Sequence, residues 1–241
     1  MPDIDRLLAP NPFAGDDGAC AETVASALRV DREFRAEQVI SCLDRVFMAV
    51  FPHEHPGRTS DGSVMPHEKR PDPRSVDSQD FVLVDFPGGR QATPLFTSAQ
   101  ALAEFAPAAR PAPLYGSELA QLAVRRSGGL IVLDPGSEHE MYLGRSAVIS
   151  LAAGMEWIAP WHDPKIVEHL EKHIAHAGFA WNLSVKAQQG NIAQVRLHVP
   201  AGVGAEQVKS AIAVLLQGIE TIDYVRSRLD VLEVVPIRSA E

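Results

Sequence analysis

Three histidines, His169, His173 and His176, stand at offsets of four and seven along the chain. At about 100° per residue, those offsets gather the imidazoles within an arc of about 60° on one helix face. A divalent metal is the chemistry such spacing could support. The same segment carries Ile166, Leu170, Ile174 and Ala177 as an apolar stripe, and histidines that border such a stripe serve as half-buried amphipathic residues. Glu171 lies between the first two histidines, but not in the His-Glu-x-x-His order that sets a general base against zinc. The three are therefore weak metal candidates, and no metal is assigned. His53 and His55, with Glu54 between them, offer a second ligand cluster, read as solvated side chains at the start of a loop.

Other chemistry is thinner. Gly202-Val203-Gly204 follows one apparent strand and opens a helix, like part of a dinucleotide fingerprint, but Gln207 stands at the third glycine position and the strand belongs to a hairpin. No nucleophile elbow, phosphate loop or Ser-x-x-Lys motif is present, so no catalytic residue and no cofactor is assigned. Cys20 and Cys42 fit no metal or redox spacing and read as two buried thiols. Lys186, Arg196 and His198 fall on one polar hairpin face that could receive a partner's acidic strip or be an ordinary wet sheet surface. Trp157 and Trp161 sit in a proline-interrupted connector, where aromatics either join two domains or anchor a partner.

The elements that must position these residues follow from punctuation and periodicity. Pro2, Pro10, Pro12 and Gly15 keep the opening irregular, and helices follow over Ala19 to Arg29 and Arg32 to Leu43, the second with Asp31 as its N-cap. Arg45 to Phe51 reads as a buried strand. The stretch from His53 to Asp80 is proline-rich, charged and poor in large apolar side chains, hence a flexible loop. Strands over Phe81 to Phe86 and Ala92 to Phe96 form a hairpin through Pro87-Gly88-Gly89-Arg90. A helix capped by Thr97 or Ser98 runs to Phe105; a strand near Pro113 to Tyr115, a helix over Ser117 to Arg126, the strand Leu130 to Leu133 and a helix over Arg145 to Ala153 complete the series. After the connector come a helix from Pro164 to Ala177, two alternating strands around Gln189-Gly190-Asn191, helices from Ala205 to Gln217 and on to Leu229, and a strand from Val231 to Ile237.

These elements predict an α/β (α+β) protein: an N-terminal mixed sheet of about five strands flanked by helices, with the Arg45 strand pairing across the loop, then a smaller α-β-β-α-α-β domain. The expected divisions are 1–44 for an arm and opening helices, 45–158 for the first domain with its flexible loop at 53–80, and 159–241 for the second. Core positions are Val46, Phe47, Val50, Val82, Val84, Leu95, Phe96, Leu102, Leu122, Ile131, Leu133, Leu183, Val195, Leu197, Leu215 and Val234. At 241 residues, 46% of them hydrophobic, the chain can bury a core without disulfides, and no apolar run approaches the roughly 20 residues of a membrane span. Twenty-two basic against 31 acidic side chains give a net charge of -9, and no basic patch offsets it, so neither nucleic acid nor membrane is an expected partner. The first residues lack the features of a signal peptide, which points to the cytoplasm.

Several segments together carry a family likeness: Asn11-Pro12-Phe13, Pro94 to Ser98 with Leu102 and Phe105, Ala109-Arg110-Pro111, Leu133-Asp134-Pro135, and Trp157 through Asp163-Pro164. With these the chain resembles the bacterial SseB family, named for a link to serine sensitivity, over about residues 11 to 165 and most closely its actinobacterial branch. The likeness extends more loosely over the C-terminal domain. The shared residues are packing and turn signatures, with no acid, base, nucleophile or ligand set among them. The resemblance implies a cytoplasmic α/β protein without an established catalytic activity. The function expected is that of a non-catalytic accessory or regulatory protein acting on a protein partner. The alternatives are a small-molecule sensor, for an amino acid such as serine, and, less favoured, a metal-dependent enzyme on the three histidines.

Overall fold

The computed structural model describes residues 12–51 and 82–238. The first residues of the arm, the loop with His53, Glu54 and His55, and Phe81 lie outside the described residues. Helices α1 (Glu22–Leu28) and α2 (Arg32–Ser41) open the fold and turn Val24, Leu28, Val39 and Ile40 inward. Asp31 occupies the N-cap of α2, although its side chain makes no capping bond.

The expected five-stranded sheet is instead two sheets. Strand β1 (Arg45–Val50) pairs antiparallel with β4 (Arg110–Tyr115), while β2 (Val84–Phe86), β3 (Arg90–Leu95), β5 (Ile131–Leu133) and β6 (Met141–Leu143) form a four-stranded sheet in the order β2-β3-β5-β6. The sheets meet at one residue pair, where Phe47 N donates to Phe96 O at 2.8 Å and Phe96 N to Phe47 O at 3.1 Å. Proline explains why they do not merge. Thr93 N and Leu95 O are engaged toward β5, so Pro94 faces the β1 side and has no N–H to offer it. The strand at Arg45 therefore pairs with β4 rather than with the strand across the loop. In β4, Pro113 opposes Phe47 and Pro111 opposes Ala49. Because the Phe47 backbone turns toward Phe96, Pro113 points its nitrogen to the outer edge, where missing donors blunt strand addition.

The β2–β3 hairpin turns through Gly88 and Gly89, both at positive φ as the composition indicates. Ser98 caps α3 (Ala99–Phe105), its Oγ accepting from Ala101 N at 3.0 Å. Helix α4 (Gly116–Arg126) connects β4 to β5, which runs parallel to β3. Strand β6 was not anticipated, since three residues carry no periodicity and are strand only because they pair with β5. Helix α5 (Arg145–Ala153) stops at Gly154, φ 64°, in the left-handed region that ends helices.

After a 3₁₀ turn at Pro160–His162 come α6 (Pro164–His176), β7 (Leu183–Gln188), β8 (Ile192–Val199), α7 (Ala205–Thr221), α8 (Asp223–Arg226) and β9 (Leu232–Arg238). Strand β8 pairs antiparallel with β7, as the hairpin reading expects, and parallel with β9, so the strand before Gly202-Val203-Gly204 also starts a crossover. Leu183, Val185, Val195 and Leu197 pack with Ile166, Leu170 and Ile174 of α6 and Ala211 and Leu215 of α7 in one core, while residues from Val24 to Ala159 build another. Trp161 packs on both. Of the expected core positions, Val50, Val82, Val84 and Val234 are only half-buried, because Val50 ends β1, Val82 precedes β2, and Val84 and Val234 lie on the edge strands β2 and β9. Among the described residues no helix is long and apolar enough to cross a membrane.

Candidate functional site

The connector between α5 and α6 threads a seam that three polar clamps hold shut. Helix α2 supplies two glutamates one turn apart. Glu37 accepts from Ala159 N at 2.7 Å and contacts His162 Nδ1 at 2.9 Å, while the backbone oxygen of Glu33 accepts from Trp161 Nε1 at 2.6 Å. Phe34 stacks on the other side of His162, with centroids 5.1 Å apart. Across the molecule, Asp230 accepts from Arg145 N and Nε, both at 2.7 Å, and pairs with Arg90 at 3.6 Å. Gly144 permits this approach, since a Cβ there would lie 2.7 Å from that of Asp230. The bond to Asp230 raises the Arg145 guanidinium above its ordinary value. Asn191 closes the third clamp by donating to Tyr142 O at 2.8 Å.

Between these clamps lies a cleft of about 540 Å³, whose walls include Ser146 and Ile149 of α5, Trp157 and Ile158 of the connector, Asp163 and Lys165 at the start of α6, and Tyr224 and Arg228. Asp163 is the N-cap of α6: its carboxylate accepts from Lys165 N at 3.1 Å and from the Tyr224 hydroxyl at 2.8 Å, and pairs with Arg228 Nε at 3.3 Å. The Arg228 guanidinium lies 3.8 Å from the centre of the Tyr224 ring. Burial first, then the bond to Asp163, raises the Tyr224 phenol, so it stays a neutral donor. Around the mouth, Ile149 (51%) and Ile158 (59%) keep large apolar side chains in water. Such clustering is what distinguishes an interaction surface from scattered exposed residues.

The residues singled out in the sequence fall in three places. Trp157 forms part of the cleft floor, nearly buried, with its indole N–H given to Ser146 Oγ at 3.1 Å; Trp161 meets it edge-on at 6.5 Å and serves the seam. Lys186, Arg196 and His198 lie on the polar face of the β7–β8 hairpin and do not line the cleft. There Arg196 donates to Gln194 at 2.6 Å, His198 contacts Ser184 Oγ at 2.9 Å and Lys186 lies 4.0 Å from Glu33. The three histidines face different neighbours: His169 the ring of Tyr224 at 5.2 Å, His173 the backbone of Gly218, and His176 the Lys172 carbonyl at 2.6 Å. Among the described residues, no group of three His, Cys, Asp or Glu side chains could hold a metal ion. Both cysteines are half-buried and free, and burial, then Asp44, pushes the Cys42 thiol up, which disfavours the nucleophilic thiolate. Sequence reasoning passed over Ile149, Ile158, Tyr224 and Arg228; only the Asp163-Pro164 pair, read as a helix start, signalled their meeting point.

A second cavity of about 650 Å³ opens where the parallel strands β3 and β5 end, beside Thr97, Ser98, Asp134 and His139. Crevices at strand carboxyl ends commonly hold ligands in α/β sheets. Asp134 is buried at φ 43°, a left-handed conformation uncommon for a side-chain-bearing residue. Its carboxylate accepts from Thr97 N at 2.8 Å and Thr97 Oγ1 at 2.6 Å. Burial raises its pKa, and those two bonds act against the rise.

Fold and site together define a mixed α/β protein of two packed units with an apolar-rimmed cleft at their junction. The SseB protein N-terminal domain matches residues 24–149, and the chain belongs to the SseB family. No curated protein and no solved structure matches it. The match ends within α5, so it includes Ser146 and Ile149 but not the connector, α6 or Arg228.

Proposed function

We propose that this SseB-family protein is a non-catalytic accessory protein of the bacterial cytoplasm that acts by seating a protein partner in the seam cleft. The observation that carries the reading is the pair of large apolar side chains, Ile149 and Ile158, held in water at the wall of a concave cleft. Protein partners bind through buried apolar anchors surrounded by polar rims, and the cleft offers the receiving half of that arrangement. Neither nucleic acid nor membrane belongs to this reading, since the chain carries a net charge of -9.

Ile149→Asp and Ile158→Asp test it. Each should abolish capture of the partner that the wild-type chain retains at stoichiometric level, with the melting temperature unchanged. Undiminished capture by both would exclude the cleft. The crevice beside Asp134 favours a second reading, a small-molecule sensor for an amino acid such as serine. It requires that millimolar serine raise the melting temperature, because a ligand that binds only the native state stabilises by RT ln(1 + [L]/Kd).

A further inference from the structure

We infer that the segment seated in the seam cleft is acidic and amphipathic, with apolar anchors flanked by aspartate or glutamate. The inference rests on the cleft being the binding surface and adds the chemistry of its occupant. It comes from how the cleft region orients its ion pairs. In the Arg145–Asp230 pair the guanidinium side chain is 51% exposed and the carboxylate 1%; in the Arg228–Asp163 pair the figures are 37% and 9%. Both pairs bury the negative end and present the positive end to solvent; Arg228 lines the cleft, whereas Arg145 precedes the lining residue Ser146 and does not itself line the cleft. Lys165 adds a third exposed cation: among the described residues it forms no ion pair, and its neighbour Glu168 is engaged by Lys172 at 2.5 Å. Glu156 is the exposed carboxylate of the lining.

This outward positive field occurs on a chain whose net charge is -9, so it runs against the molecule's overall potential. Two of the nearby carboxylates are bound from beneath, Asp163 by Lys165 N and Tyr224, and Asp230 by Arg145 N, while Glu156 stays exposed in the lining. An incoming carboxylate therefore meets exposed donors at Arg228 and Lys165, with Glu156 as the exposed acceptor in the lining. The apolar residues set beside the cations, Ile149 and Ile158, require that the same segment carry large apolar side chains. An amphipathic helix laid in a groove satisfies both demands.

A display library of random peptides of about a dozen residues, panned on the full chain at low salt, tests this. Parallel selections use Ile158→Asp and Lys165→Glu, each checked by its melting curve. The expected pool is net acidic with two or more large apolar residues, is lost on Ile158→Asp, and binds Lys165→Glu at least about tenfold more weakly. A neutral or basic pool that still depends on Ile158 would overturn the inference and leave the cleft as the binding surface. A pool indifferent to Ile158 would overturn both. Co-sedimentation with phosphatidylglycerol vesicles, if lost on Lys165→Glu and on Ile158→Asp, would reassign the surface to an anionic lipid and equally overturn the inference.

Discussion

The two cavities each contain a buried aspartate, and they use it in opposite ways. Asp134 is held from within: one threonine donates to both its oxygens, it forms no ion pair among the described residues, and burial lifts its pKa. The result is a closed loop of bonds that ties the chain after β3 to the turn after β5. Asp163 caps a helix and pairs with Arg228, whose guanidinium remains partly in water. Its bonds leave a cation displayed at the rim. The crevice at the strand ends has the location of a ligand site, whereas the seam cleft has the exposed chemistry of one. Location in the fold and availability of groups are therefore separate criteria, and here they point to different places.

Several substitutions would break or sharpen this contrast. The largest effect is expected from Asp230→Ala, which removes the carboxylate that clamps the seam and strands Arg90 and Arg145. Breaking such a pair costs about 3 kcal/mol, at the low end because both guanidiniums reach solvent. Urea unfolding measures it, and a change under 1 kcal/mol would show that the seam does not depend on this clamp. Thr97→Val leaves Asp134 buried with a donor missing, for a loss of about 2 kcal/mol. The same experiment should show partner capture undisturbed, which separates the crevice from the cleft.

Asp134→Asn is smaller and is read in its pH dependence. With the native pKa raised, the folded protein holds the proton more tightly than the unfolded chain. The residue's contribution to stability is thus complete below the unfolded value near 3.9 and declines as pH rises through the window above it. The asparagine variant lacks that decline, and asparagine tolerates the left-handed backbone at this position. Its stability relative to wild type should increase from about pH 4 upward; parallel curves would contradict the assignment. The smallest effect on stability belongs to Ile158→Asp, within about 0.5 kcal/mol, because the side chain already sits in water.

Much of this was legible in the residues. Helix starts and stops at Ser98, Pro164, Gly154 and Gly178, and the period-two strands from Leu183 to Val199, announce themselves through local chemistry. What was not legible depends on partners distant in sequence. β6 exists only because β5 lies beside it, and the division of the sheet follows from which side Pro94 faces, a property of register. The candidate site divides the same way. The tryptophans stood out by type, but Ile149 and Ile158 look like ordinary core residues until the fold leaves them uncovered, and Arg228 meets Asp163 across 65 positions. Resemblance to a family pointed to the α/β character of the first unit, while the cations that line the cleft, Lys165 and Arg228, lie beyond the matched residues.

The most direct test places a photo-crosslinking phenylalanine at position 158 on the cleft rim or at position 100 in the Asp134 crevice, in the native cell. The cleft account predicts a discrete adduct from position 158 and none from position 100. The reverse pattern, or the same adduct from both positions, would contradict it.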